Sequence, residues 1–512
     1  MWPLPVADSF DRPNDSPTDA AARVHGTDAV AAPADKRDLP QWARLVDVAG
    51  VAFVLLALSV LIGGRTRMTL GPVRLSIGSV ERQLLVAALL LAVRHWRYPA
   101  PSLLSRARAG WFQFWSEPGI RTLATYYWTV RLSVLVVGYL AAVSFGLPER
   151  GPFRVSENEF MNLPARWDSG WYLAIATDGY RYSDSDGQQS IAFMPAFPVV
   201  MRLAGSFFAV DQNRLRTTDG PDRGRILWAG VVVSLVLGWL ASVWLFRLAR
   251  SWLDESQALA AVVLLQTYPF ALFYGAAYSE SLFLASTVGA LWLFRRRAWL
   301  GAATWGLVAG ISRPNGFITS VLIGLLLLEH LWRGRHSLRD WATSYDRFWG
   351  PMLAATAPVI SLGVFCWMIY DLTGDPFRWM QLHAAWGREY RSLGSLASLY
   401  YNRVAAEGVY GYTSTAPIDA MNVIASCVAL AAIYPVWRRL GLPYAAWMAA
   451  TLLPPLSMGG FLSMGRVTST AFPMFLWLGS LGGETTRRGL MVGFAILQGL
   501  AAALFFSWRP LY

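Results

Sequence analysis

One short run carries the residue types for chemistry in a chain that is otherwise apolar. Arg166-Trp167-Asp168-Ser169-Gly170-Trp171-Tyr172, continuing through Asp178-Gly179-Tyr180, gathers acids, an arginine and aromatic rings. A carboxylate such as Asp168 can take the proton of an attacking hydroxyl. Trp167, Trp171 and Tyr180 offer flat faces for the C–H surface of a sugar. The same rings also suit an interfacial loop, where Trp and Tyr collect as a belt. Ionisable, amide or aromatic groups recur beside apolar runs at Tyr278-Ser279-Glu280-Ser281, at Ser312-Arg313-Pro314-Asn315-Gly316 and at Met464-Gly465-Arg466. The loop Gly374–Arg388, with Gln381, Trp386 and Arg388, adds a further set.

Arg313 and Arg466 have the side chain that grips a phosphate in bidentate contacts. Their alternative is snorkelling to lipid headgroups. Glu280 reads either as a substrate contact or as a carboxylate paired with one of these arginines. Asp178 reads as structural, and Asp375 in Gly-Asp-Pro as a turn residue. Asp184-Ser185-Asp186 has the letters of a metal-holding pair but lies in a polar Ser/Asp/Gly loop. The five histidines show no ligand spacing, and no phosphate-binding or dinucleotide glycine loop occurs in a suitable context. Neither a metal nor another cofactor is expected.

The elements that must position these groups belong to a membrane domain. The chain has 512 residues, 55% hydrophobic and only 15% charged, too little charge for a soluble protein of that length. Apolar runs of roughly 17–25 residues recur, the length that crosses a bilayer, and they do not alternate as barrel strands do. The fold class expected is an all-α polytopic membrane protein. The net charge of +12 comes almost wholly from arginine, with Lys36 alone among the lysines. Because the arginines cluster between spans, they follow the positive-inside pattern and do not predict nucleic-acid binding. Cys366 and Cys427 both lie in apolar runs and read as buried thiols.

Residues 1–44 read as a disordered cytoplasmic tail, without the basic start and apolar core of a signal peptide. Residues 45–122 hold two spans, Leu45–Gly64 and one beginning at Gln83–Val93. They also hold an outer hairpin around Leu70–Ile77 and a basic linker. Residues 123–512 hold about eleven spans: Ala124–Phe145, Ile226–Phe246, Gln257–Gly275, Ser279–Phe294, Leu300–Ile311, Phe317–Leu328, Pro351–Tyr370, Met421–Val436, Tyr444–Leu456, Val467–Leu481 and Leu490–Phe506. Residues 146–225 are the first extracytoplasmic loop. Within it, Ile191–Val210, interrupted by Pro195 and Pro198, reads as interfacial or re-entrant, and Asp211–Arg225 as polar loop. Asp371–Asp419 is expected to be a second long outer loop. This path puts every arginine cluster on one side and the chemistry-bearing stretches on the other.

Five blocks in order resemble the PIG-V-type mannosyltransferases of the GT-C glycosyltransferase superfamily. They are Trp167–Ala176 with Asp178-Gly179-Tyr180, Ala192-Phe193-Met194-Pro195-Ala196-Phe197-Pro198, Tyr278–Phe283, Ser312–Gly316, and Met464–Val467 with Phe472-Pro473. The resemblance covers roughly residues 123–510 and leaves the first two spans as an addition. It departs from the family where a histidine is lacking near Gly170-Trp171 and where Gly465-Arg466-Val467 replaces Pro-Arg-Tyr. The near-absence of lysine suggests a GC-rich bacterial genome, so glycosylphosphatidylinositol synthesis need not be the pathway.

The resemblance implies a GT-C-like fold and an inverting transfer of a hexose, mannose by family habit. The donor would be a polyprenyl phosphate sugar and the acceptor an extracytoplasmic lipid or glycan. Asp168 would be the catalytic base, and Arg313 and Arg466 would hold the donor phosphate. Trp167, Trp171, Tyr180, Glu280, Asn315, Gln381, Trp386 and Arg388 are the expected substrate contacts. The location expected is the inner (plasma) membrane, with the site on its extracytoplasmic face. The rival is a lipid-linked sugar flippase or transporter, which would carry ionisable groups along a path through the bilayer centre.

Overall fold

The computed structural model describes residues 41–63, 66–70, 73–77, 79–98, 103–148, 153–206, 221–334 and 345–509. Residues 1–40 of the polar tail, most of the Asp211–Arg225 loop and the arginines at 335 and 339 lie outside the described residues, while residues 41–44, expected to be disordered tail, are helical. The chain divides into two compact units, 1–116 and 117–512.

In the first unit, helices Gln41–Gly63 and Val80–Arg97 flank a two-stranded antiparallel hairpin, Thr66–Leu70 against Val73–Ile77. The hairpin lies where alternating Leu70–Ile77 predicts one. Asp47 and Arg94 are buried as an ion pair at 3.0 Å, and Arg106 from the helix Leu103–Ser116 joins them. The basic linker is therefore partly helical. Of its arginines, Arg106 and Arg108 are carried on that helix instead of on an open loop.

In the second unit, five described helices are long and apolar enough to cross a membrane. They are Ile120–Phe145, Arg223–Ala249, Gly350–Thr373, Pro417–Leu440 and Glu484–Phe506. A sixth crossing follows if the bent pair Glu255–Thr267 and Pro269–Gly275 is one span. The runs at 300–311, 317–328 and 444–456 are shorter helices, Trp299–Gly310, Thr319–Gly334 and Leu442–Gly459, and two other expected spans are broken. Gln257–Gly275 bends by 81° at Tyr268-Pro269, because proline cannot continue the hydrogen-bond ladder. The freed carbonyls are satisfied internally: Gln498 donates to the Gln266 and Tyr268 carbonyls at 2.9 Å each, and Arg131 donates to the Gln266 and Ala271 carbonyls. Arg131 sits in the middle of an apolar span. Its carbonyl partners are what make a guanidinium tolerable there.

Val467–Leu481 is two short helices, Met464–Ser469 and Phe472–Gly479, again broken before a proline. Glu280–Arg295 is buried on nearly every face. An apolar helix inside protein has the same composition as one facing lipid, so hydropathy does not separate the two. Asp371–Asp419 is not an open loop. It contains the helix Leu393–Thr415, capped by Ser392, which accepts from the Ser395 N–H, and kinked at Gly408.

The core around Glu280–Arg295 joins Ala290 and Phe294 to Trp299, Ala302, Ile323, Leu327 and Ala354 on three neighbouring helices. Small residues let these backbones approach. The clearest case is the turn that follows Trp299–Gly310, where a Cβ on Gly316 would stand 1.9 Å from the Ala309 carbonyl oxygen. Gly316→Ala is therefore expected to destabilise the second unit by roughly 1–3 kcal/mol through overpacking. A lower melting temperature in detergent is the readout, and a wild-type melt would contradict the tight turn.

Candidate active site

Asp168 stands at the start of the helix Ser169–Asp178, yet its side chain caps no N–H of that helix. Its carboxylate is instead left to face a positive helix terminus and an arginine. The backbone that aims it is strained. Trp167 has φ +50°, a region non-glycine residues avoid. Two hydrogen bonds straddle the strained residue: Tyr278 Oη donates to the Arg166 carbonyl and accepts from the Asp168 N–H, both at 3.1 Å. Arg166 is itself buried and donates to the Phe506, Asn162 and Ala165 carbonyls. Desolvation, with Arg154 second, pushes its guanidinium down to about 10, still charged at neutral pH.

Opposite lies Arg466, on the short helix Met464–Ser469. The residue preceding that helix, Ser463, also has a left-handed φ of +58°. Both ends of the central ion pair thus follow a strained backbone position. Arg466 donates to Asp168 Oδ2 at 2.6 Å and to Glu280 Oε1 at 2.7 Å. Its guanidinium also lies over the rings of Phe273 and Tyr278, at 4.9 and 4.8 Å. Arg313 pairs with the same Glu280 oxygen at 2.7 Å. Glu280 is 0% exposed, so it lies beneath both arginines as their shared counter-ion and out of reach of a substrate. Of the two readings of Glu280, the geometry carries the pairing one.

Because Tyr278 clamps the turn that aims Asp168, Tyr278→Phe is expected to lower kcat about 5- to 100-fold, the range for losing hydrogen bonds at a buried site. The fold should remain intact and KM should change little. Unchanged kcat would show that the turn holds without the clamp.

A cavity of about 460 Å³ opens in front of this pair, within the range of small-molecule sites. Asp168, Arg313, Asn315, Arg388 and Arg466 line it, as does Ser279. The five blocks are thus brought together by folding: Asp168 and Arg466 are 298 positions apart in sequence. Arg388 differs from the other two arginines, since among the described residues it pairs with no carboxylate. Burial first, then Arg466 and Arg313, push it down to about 10, so it keeps its charge at neutral pH. The cavity's three arginines face two acids, and the balance favours an anion.

Several expected contacts stand behind the wall. Trp171 packs on Phe193 and Trp386, with ring centroids 5.8 and 5.9 Å away. Tyr180 donates to the Phe193 carbonyl at 2.7 Å, and burial raises its phenol well above the usual value. Trp167 packs on Trp508 at 4.9 Å. Gln381 is exposed and bonds Asp375 and Arg378. The rings that do line the cavity are Tyr172, Phe193, Phe317, Phe377 and Trp379, with His383 beside them. A lone histidine and a loop tryptophan carry no spacing signal, which is why they escape a sequence reading.

The other wall is apolar: Met194, Leu362, Cys366, Met380, Pro454, Pro455 and Met458. Asp178 lies 3.6 and 3.7 Å from Arg181 and Arg223, consistent with a structural role. Asp186 pairs with Arg378 at 2.9 Å, while Asp184 accepts from Tyr182, so the two acids have separate partners. Among the described residues no group of three His, Cys, Asp or Glu side chains converges as metal ligands.

Residues 149–371 match the sequence model of the family described as Mannosyltransferase (PIG-V). GPI mannosyltransferase 2 of Drosophila pseudoobscura pseudoobscura is 28% identical over 265 residues, covering 46% of this chain and 53% of that one. The chain thus spans about half the length of that relative. Among solved structures, the oligosaccharyltransferase of Archaeoglobus fulgidus with an inhibitory peptide and a dolichol-phosphate aligns at a TM-score of 0.34. Its identity is 15%, over 75% of this chain and 56% of that one. The apo form gives 0.34 and 14%, over 74% and 56%. A score at that level assigns no common fold. The family recognition drawn from the ordered blocks is borne out over residues 149–371. Four blocks lie inside that segment, and the Met464–Pro473 block lies beyond it.

Proposed function

We propose, from the PIG-V mannosyltransferase sequence of residues 149–371 and the cavity those residues help build, that the chain is an integral-membrane inverting glycosyltransferase. It moves a hexose, mannose by family, from a polyprenyl phosphate donor to a lipid or glycan acceptor on the extracytoplasmic face of the plasma membrane. The observation that carries the reading is a single carboxylate, Asp168, at an arginine-rich cavity whose opposite wall is apolar.

In the reaction, Asp168 takes the proton of the acceptor hydroxyl while that oxygen bonds to the anomeric carbon. The anomeric carbon–phosphate oxygen bond breaks, and its electron pair stays on the phosphate. The phosphate thereby goes from a singly charged diester to a monoester with up to two negative charges. A cation that strengthens its contact as this charge grows lowers the barrier. Arg388 is that cation, because Arg313 and Arg466 are already compensated by Glu280 and Asp168. Arg466 then mainly holds the base in line, and Arg313 adds to the positive field. The first isoprene units lie against Leu362, Met380 and Pro455 on the apolar wall.

The transporter reading finds less support. Arg131, a mid-span charge, is committed to backbone carbonyls and does not line the cavity. The test is purified protein in proteoliposomes with radiolabelled polyprenyl phosphate mannose and a membrane-lipid extract as acceptor. Label in a new glycosidic product supports transfer. Label that only changes leaflet supports transport instead.

A further inference from the structure

Among the polar groups that the reaction above leaves without a task, His383 stands out. It lines the cavity between Phe377, Trp379 and Arg388, and its Nε2 is buried with no hydrogen-bond partner among the described residues. A buried polar atom without a partner is uncommon in folded proteins and marks a place where a ligand or water completes the pair. The imidazole is held by rings on both sides, Trp379 and Trp386, each with its centroid 6.3 Å away. Both contacts are edge-on or tilted, so the imidazole packs among rings while its Nε2 stays without a partner. Burial, with Arg388 second, pushes its pKa down to about 4, so it is neutral at physiological pH. A neutral imidazole has one donor and one acceptor nitrogen, a pair that matches a hydroxyl, which also both donates and accepts.

We propose that His383 binds a hydroxyl of the donor hexose and selects the sugar-bearing lipid over the bare polyprenyl phosphate. This rests on the reading of the cavity as a polyprenyl phosphate sugar site. A phosphate on Arg388 puts the attached hexose beside the same loop. Trp379 and Phe377 then supply apolar surface for the sugar's C–H face, and His383 the polar contact. Proteins that hydrogen-bond a ligand hydroxyl reject the analogue lacking it, because the protein group is left unpaired.

The test is equilibrium binding in nanodiscs of the full chain, with polyprenyl phosphate mannose and with polyprenyl phosphate as probes. Wild type is expected to prefer the mannosylated lipid. His383→Phe is expected to lower that preference about tenfold while leaving the bare-lipid Kd unchanged. His383→Gln, which keeps a donor and an acceptor, should restore part of it and controls for folding. An unchanged preference in His383→Phe overturns the proposal while the cavity reading stands. Loss of affinity for both lipids in equal measure assigns His383 a packing role and also overturns it. A wild type that binds neither lipid overturns the cavity reading itself, and this inference with it.

Discussion

Asp168→Asn is expected to lower kcat for mannosyl transfer roughly 10²–10⁴-fold, the usual contribution of a positioned base. The amide keeps the shape of the side chain and can still meet Arg466, so KM for the donor should move little. Only the capacity to take the acceptor's proton is removed. Two features point to this residue over its neighbours. It is the one acid of the opening stretch on the cavity wall, and its 2.6 Å contact with Arg466 fixes the carboxylate in direction. Asp178, ten positions on, is engaged by Arg181 and Arg223, and its amide variant should leave kcat within a few-fold of wild type. The check is steady-state transfer by both variants, with circular dichroism to establish folding. Full activity in Asp168→Asn would remove the base assignment.

Glu280→Ala is expected to cause the largest loss of stability, roughly 3–5 kcal/mol, the range for removing one member of a buried ion pair. The reason is geometric. One fully buried oxygen is shared by Arg313 and Arg466 at 2.7 Å each. Without it, two guanidinium groups, each under 15% exposed, face one another with Asp168 as the remaining acid. Burying charge without a partner is far costlier than the pair itself gains. Activity should fall as well, because Arg466 would be drawn wholly onto Asp168 and would weaken it as a base. Glu280→Gln, which preserves the shape but not the charge, should lie between the two. Thermal melts in detergent give the ranking, and a melt for Glu280→Ala equal to wild type would contradict the shared counter-ion role.

Much of this site is legible before any coordinates. Asp168, Arg313, Asn315, Arg388 and Arg466 each sit in a short run whose polar residues have no reason to border an apolar span. The ordered blocks supply the connection across the 298 positions that separate Asp168 from its arginine. What the sequence hides is which groups face the cavity. Trp171, Tyr180 and Trp386 carry the composition of a sugar platform, yet they pack on Phe193 and its neighbours. His383 and Trp379 carry no pattern and line the cavity. The fold divides in the same way. Helices Ile120–Phe145, Gly350–Thr373 and Glu484–Phe506 follow from hydropathy. The break at Pro269 and the two short helices around Pro473 depend on partners elsewhere in the chain. The helix Leu393–Thr415, rich in Gly, Ser and Tyr, has no apolar run to announce it.

The central claim is a single displacement by one carboxylate. Asp168 is the only acid lining the cavity among the described residues, and Glu280 is locked beneath two arginines. A double displacement would make Asp168 the nucleophile and leave the second step without a carboxylate of its own to take the acceptor's proton. The most direct measurement is the anomeric configuration of the transferred hexose in the purified product, read by nuclear magnetic resonance against the configuration in the donor lipid. The account predicts inversion. Retention would contradict it.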